Sequence, residues 1–378
     1  MRCFKFVILF IVVHSVAQFQ TQVQAQVPSH DDRVVSFSFD AGTSGQYTPN
    51  WNDFEEDSIF APNSVDPLMG GPTPALRFIG KGALSAIETD AISYGYKQHP
   101  RDVNLLSAFF SVSRLSEGFA GTAVHTEAVD DRGSDIFASE LTGVNRQVYD
   151  GNGLAMQPGA LKLGLAESVS TNLDALDMRA VPSQFLGIAT LPNAAFYWSV
   201  ADKNGFGGLA AQPEYAGPGY TGRDIFYGLP KNGYANNPAG IHKYADGGQL
   251  GLTAGDDIDA LVVIDRDGNP GDFDPLTDAI IYSLTGNSTS LSLPDFADGA
   301  IGKSGGDIFQ VGGGLLGPNR FAEAVDFGLD PMNDDDLDAL DFAIASMVDG
   351  YISTVPEPAS MLLVIVGLAL LPRRRRGN

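Results

Sequence analysis

The chain is nearly devoid of cysteine. Its single one, Cys3, lies at the extreme start, so no intrachain disulfide can staple the fold. Histidine is also sparse. Beyond residue 25 there are only His30, His99, His125 and His242, and none is spaced as a metal-binding pair on one helix. Basic residues are few: 23 Lys and Arg stand against 46 Asp and Glu, a formal net charge of −23. That balance argues against nucleic acid or anionic lipid as a partner. Long apolar runs occur only near the two ends, at Phe6–Val13 and Met361–Leu371. No recognisable catalytic signature is present. Gly302-Lys303-Ser304-Gly305-Gly306 formally matches Gly-x-Ser-x-Gly, but a strand pattern follows it where a nucleophile elbow needs a helix. As a phosphate loop it fails as well, with Ala297 where the first glycine belongs.

The two ends carry addresses. Arg2 and Lys5 precede the first apolar run, and Val23-Gln24-Ala25 offers small residues at a cleavage point. Residues 1–25 are therefore expected to be a secretory signal peptide, cut after Ala25. The other end has three ordered parts: Val355-Pro356-Glu357-Pro358, the apolar run, and Arg373, Arg374, Arg375 and Arg376. The run is shorter than the ~20 residues that span a bilayer comfortably, yet a short transmembrane helix is expected if the arginines snorkel. Four arginines favour the cytoplasmic side. Pro356 and Pro358 hold the preceding stretch extended.

This tail resembles the PEP-CTERM sorting signal of bacterial exported proteins, over residues 355–378 only. The resemblance implies processing by an exosortase, a membrane-embedded transpeptidase, with transient residence in the inner membrane. It also implies a destination in the envelope, at the cell surface or in the exopolysaccharide matrix. A plain tail anchor with a basic flank is the alternative.

Between the signals, residues 26–354 carry 17 basic against 45 acidic residues, a net charge of −28. The whole chain's 44 glycines and 22 prolines point to many turns and short strands. The stretch also repeats. Asp-Ala-(Leu/Ile) recurs at Asp90, Asp174, Asp259 and Asp338, at spacings of 84, 85 and 79 residues. Serine-centred apolar runs recur around Ser38, Ser111, Ser199 and Ser283. Asp-Ile-Phe follows at Asp135, Asp224 and Asp307, with Ser58-Ile59-Phe60 in the first unit. A Gly-Leu element comes next at Gly164, Gly251 and Gly328, and Ala83-Leu84 takes its place in the first unit.

Each unit therefore predicts four strands: b around the serine, c at Asp-Ile-Phe, d at Gly-Leu and a at Asp-Ala-Leu. The expectation is an all-β ectodomain of four ~80-residue repeats, with units near 34–85, 86–165, 166–252 and 253–342. The chain starts on b and ends on a, so pairing the last strand with the first would close a ring. A four-bladed β-propeller is the expected architecture, and paired β-sandwiches are the alternative. Asp-Ala-Leu repeats of this kind look similar to those of other PEP-CTERM-tagged proteins, a likeness that carries no activity with it.

Two acidic groups suggest a metal. If strand a lines a central channel, Asp90, Asp174, Asp259 and Asp338 converge there, and calcium is the cation such oxygens suit. The competing reading has each aspartate capping its own turn. The second group is the loop Asp265-Arg266-Asp267-Gly268-Asn269-Pro270-Gly271-Asp272-Phe273-Asp274. Asp265, Asp267, Asn269, Asp272 and Asp274 alternate like calcium ligands, but Pro270 replaces the sharp-turn glycine of an EF-hand. A solvated hairpin loop is the other reading there. Trp51, Tyr215, Tyr220 and Tyr234, in Gly/Pro/Asn-rich loops, are candidates for stacking on sugar rings or for packing loops onto sheets.

The expected function is that of a non-catalytic structural or ligand-binding protein, with polysaccharide as a candidate ligand. The alternative is a glycan-directed extracellular hydrolase on the same scaffold, with paired carboxylates too numerous to assign from sequence.

Overall fold

The computed structural model describes residues 35–38, 59–62, 76–80, 89–94, 108–113, 116–128, 132–139, 144–151, 161–162, 172–178, 196–201, 220–228, 241–266, 272–297, 299–300, 302–327, 329 and 336–342. The chain divides into residues 1–343 and 344–378, and the second unit lies wholly outside the described residues. So do the signal peptide and the sorting motif Val355–Pro358 with Arg373–Arg376. No helix among the described residues is long and apolar enough to cross a membrane.

The described structure is almost entirely β, in four sheets. The first holds β1 (Val35–Ser38), β2 (Ile59–Pro62) and β3 (Leu76–Gly80). The second holds β4 (Ala91–Ser93), β5 (Ala108–Ser111), β6 (Ile136–Ser139), β7 (Asn145–Asp150) and β8 (Leu161–Lys162). The third holds β9 (Ala175–Met178), β10 (Phe196–Ser199), β11 (Ile225–Gly228) and β12 (Ile241–Ala245). The fourth holds β13 (Ile258–Ile264), β14 (Ala279–Leu284), β15 (Ile308–Gly312) and β16 (Asn319–Ala322). The last strand, β17 (Ala339–Phe342), joins the first sheet beside β1. Every pairing is antiparallel except that of β7 with β8. One single-turn helix, α1 (Ala123–Thr126), is capped by the Thr122 side chain.

Strands a, b and c stand where the repeat places them. Strand d does not. The fourth strands are β3, β7, β12 and β16, each upstream of its Gly-Leu or Ala-Leu element. Gly251 shows why Gly-Leu cannot be a strand: its φ of +76° leaves the extended region. A Cβ there would also sit 2.8 Å from the Pro318 ring. The true outer strands, such as Asn-Arg-Phe-Ala of β16, mix polar and apolar residues. β16 is only partly buried, so hydrophobic alternation marks it weakly. The second sheet gains β8 beyond the expected four strands.

The sheets pack face to face. One core layer joins Ala91, Phe109, Ile136 and Val148 of the second sheet to Leu176, Phe196, Trp198 and Phe226 of the third. The next joins Ala175, Tyr197, Tyr227 and Tyr244 of the third sheet to Leu261, Val263, Ile280 and Tyr282 of the fourth. A further layer joins Ile92, Phe110 and Phe137 of the second sheet to Ala339 of the first. The run Phe-Tyr-Trp of β10 feeds two layers because successive side chains alternate across a strand. Phe196 and Trp198 stack at 4.5 Å on one side, while Tyr197 meets Tyr227 and Tyr244 on the other. Each such ring contributes roughly 1.5–3 kcal/mol of burial. The Ala and Leu of the repeated tripeptide belong to facing layers: Ala91 shares one with Leu176, and Ala175 one with Leu261.

The serines of strand b tie neighbouring sheets. Each hydroxyl is fully buried and donates to the carbonyl just before the repeated aspartate that leads into the neighbouring sheet. Ser38 bonds Thr89 at 3.4 Å, Ser111 bonds Leu173 at 2.8 Å, Ser199 bonds Ile258 at 2.9 Å, and Ser283 bonds Leu337 at 3.1 Å. The inner strands touch in series: β4 with β9, β9 with β13, β13 with β17, and β17 with β4.

Strand c carries a second repeated device. In every sheet the register with strand d shifts between the Ile and Phe of the repeat, at Ile59/Phe60, Ile136/Phe137, Ile225/Phe226 and Ile308/Phe309. Such a bulge re-aims the residue beside it. The aspartate before it accepts from the backbone that follows strand d: Asp135 from Gly151 at 2.8 Å, Asp224 from Gly247 at 3.0 Å, Asp307 from Ala324 at 2.7 Å.

Candidate functional site

The repeated aspartates lie at the start of the inner strands. Three are buried: Asp90, Asp174 and Asp259. Asp338 is half-buried. The Asn172 amide donates to Asp90 and, at 3.0 Å, to Asp174, so one side chain bridges two units. Burial pushes the Asp259 carboxyl well above the usual carboxylate range, and the charges of Asp336, Asp338, Asp174 and Asp257 push it further. The inner strands thus bring Asp174, Asp259 and Asp338 into one electrostatic group, with Asp90 joined to it through Asn172.

Asp257 and Asp336 belong to this group as well; the sequence did not single out Asp257, and Asp336 ends the acidic run Asn333–Asp336, which reads as a loop ahead of the last strand a. The signal was there. Both stand two residues before a repeated aspartate, where Asn172 precedes Asp174 and Glu88 precedes Asp90. Glu88 lies outside the described residues. Carboxylate and amide oxygens at this density match the ligand chemistry of a hard cation. As they stand, no group of three or more His, Cys, Asp or Glu among the described residues has the geometry of a metal centre.

The acidic loop is arranged differently. Asp267 and Asn269 lie outside the described residues, and Asp272 is exposed. Asp265 accepts from the Tyr197 hydroxyl at 3.1 Å. Asp274 accepts from Leu276 N–H at 2.9 Å, an Asx turn. The residue that organises the loop is Asp278, fully buried. It accepts from Arg266 N–H, Asp274 N–H and the Tyr244 hydroxyl, at 3.0, 3.1 and 3.1 Å. That hydroxyl's pKa is pushed far up, first by burial and then by the Asp278 charge.

Of the remaining candidates, Lys303, Ser304 and Tyr220 make packing and backbone contacts. Lys303 donates to the carbonyls of Leu293, Phe296 and Ala300, at 2.7, 3.4 and 2.7 Å. Ser304 is buried, and its N–H donates to Asp307 at 3.2 Å, so Gly302–Gly306 is a turn leading into β15. Tyr220 has Phe226 against its edge and Lys243 over its ring at 5.3 Å, which packs the loop onto the sheet. His125 and His242 belong to different sheets' connections and strands. Trp51, Tyr215, Tyr234, His30 and His99 lie outside the described residues.

Comparison with protein-family models, curated proteins and solved structures returned no match.

Proposed function

We propose that the chain is an exported, non-catalytic binding protein of the bacterial envelope or exopolysaccharide matrix. In this reading it folds as a four-bladed β-propeller whose acidic axial end takes calcium. The observation that carries the proposal is the gathering of aspartates from successive units at the start of the inner strands. Core layers on both faces of the second and third sheets support a propeller over paired sandwiches, in which one face of each sheet would be open. The β1–β17 pairing supports closure. The sorting tail supports delivery by an exosortase-type enzyme after passage through the inner membrane.

Calcium is tested by thermal unfolding of the purified protein. Extracellular calcium modules bind near 10⁻⁴–10⁻³ M, so millimolar calcium should raise the melting temperature by about 1–4 °C, and magnesium by less. Asp174→Asn with Asp259→Asn should abolish the shift. Asp267→Asn with Asp272→Asn, in the acidic loop, should leave it intact. Superimposable curves in calcium and EDTA overturn the calcium reading.

One observation favours a second reading, a glycan-directed hydrolase. A buried carboxyl whose pKa is raised by burial and by neighbouring carboxylates, as at Asp259, is one element of the acid-and-partner arrangement of glycoside hydrolysis. Release of reducing ends from polysaccharide by the parent, lost in Asp259→Asn, would select it.

A further inference from the structure

Two connections of the fourth sheet carry exposed leucines. Leu276, in the β13–β14 connection, is 75% exposed, and Leu316, in the β15–β16 turn, is fully exposed. The two are held side by side, because the Gly314 N–H donates to the Pro275 carbonyl at 3.0 Å. That approach needs glycine: Gly312 and Gly314 have φ of +80° and +88°, and a Cβ on Gly312 would clash with the Asp278 carbonyl. Pro275, exposed, and Leu315, half-buried, stand beside the two leucines. The joined turns therefore present a small apolar tip to solvent.

The strand directions fix which end of the fold this is. The inner strands start at the gathered aspartates and run away from them. Because neighbouring strands alternate in direction, the β13–β14 and β15–β16 connections lie at the opposite end, as does the β6–β7 turn with Val144. Among the described residues, Leu316, Leu276 and Val144 are the three most exposed large apolar side chains, and all three lie at this end. β17 also ends here, at Phe342, and Phe342 pairs with Val35, the first residue of β1. The chain thus enters and leaves the sheets at the end that carries the leucines. Its two long apolar runs, Phe6–Val13 before β1 and Met361–Leu371 after β17, are both attached at that end.

We propose that this end docks on a lipid bilayer surface, with Leu276 and Leu316 set among the headgroups, while a terminal apolar run lies in the same membrane. The inference rests on the reading that the terminal runs enter the membrane, and it holds whether or not the acidic end takes calcium. A protein tethered by one short segment stays within reach of the bilayer. A few exposed leucines then suffice for a reversible contact that they could not sustain from free solution. Asp272, exposed beside Leu276 in the same connection, opposes anionic headgroups, so a zwitterionic surface fits best. Removal of the tether would release the whole end.

Hydrogen exchange on the full-length protein, with and without phosphatidylcholine vesicles, tests this. On the vesicles, residues 272–278 and 312–318 should exchange about tenfold more slowly, the scale of burying one leucine. Residues 285–290, at the aspartate end, should be unchanged. Leu276→Asp with Leu316→Asp should abolish the slowing, while the protein still floats with the vesicles through its terminal runs. Leu316→Ser alone, which should weaken the slowing, decides the matter if the double variant fails to fold. Equal slowing at both ends, or slowing that survives the double variant, overturns the proposal. Slowing that follows protein concentration and not vesicles overturns it in favour of a second copy of the chain. A parent that floats with both turns exchanging freely overturns the docking alone, whereas one that does not float overturns the membrane reading and the docking with it.

Discussion

At the scale of single residues, the repeat is a set of polar ties made in a dry place. A serine in a strand otherwise filled with aromatic and branched side chains costs burial, and the cost is offset only if the hydroxyl finds a partner. Here it finds the carbonyl that precedes the repeated aspartate of the neighbouring sheet, so the same residue that interrupts one sheet holds the following one. Ser199→Ala should lower unfolding stability by about 1–3 kcal/mol, because the Ile258 carbonyl is left buried without its donor. Ser292→Ala, whose hydroxyl bonds within its own exposed turn at 2.8 Å, should change little. Urea unfolding of both variants checks the contrast. The positions of the serines were legible in the sequence, but their partners were not. The bond reaches across 51 to 62 residues, and no local pattern encodes which carbonyl lies opposite. The same holds for Asp135, Asp224 and Asp307. The repeat flags them, but only the fold shows them holding the backbone beyond strand d.

At the scale of elements, legibility followed burial. Strands b and c are sandwiched between layers, so they read as short apolar runs and were placed correctly. Strand d mixes polar with apolar residues, as in Asn-Arg-Gln-Val-Tyr-Asp of β7 and Asn-Arg-Phe-Ala of β16, and its place was mistakenly given to a Gly-Leu turn. Strand a was found through its tripeptide, in which alanine makes room in the facing layer and leucine fills it. Its last copy, β17, pairs residue for residue with β1: Val35 with Phe342, Ser36 with Asp341, Phe37 with Leu340 and Ser38 with Ala339. Deleting Asp336–Phe342 removes that partner and bares the edge of β1. The variant should aggregate or melt well below the parent. Light scattering and calorimetry test this, and a monomer with unchanged melting would show that β17 contributes nothing to closure.

At the scale of the whole molecule, the number of units and the offset between first and last strand were legible because both are counts along the chain. The meeting of Asp257 and Asp336 with the repeated aspartates was not, since proximity between units depends on how the sheets turn. The ends of the chain rest on sequence alone. If Pro356-Glu357-Pro358 directs exosortase processing, mass spectrometry of the surface-exposed protein in its own host should find no Arg373–Arg376. Recovery of the intact arginine cluster would leave a plain tail anchor. The pairing of β1 with β17 also bears on timing. The strand that emerges first from a ribosome or a translocation pore has its partner about 300 residues further along the chain. Until that partner arrives, three sheets can assemble in order while the first keeps a bare edge, and the slowest step is the one with the longest loop to close. A chain exported from its N-terminus would therefore complete its fold only after almost all of it had crossed.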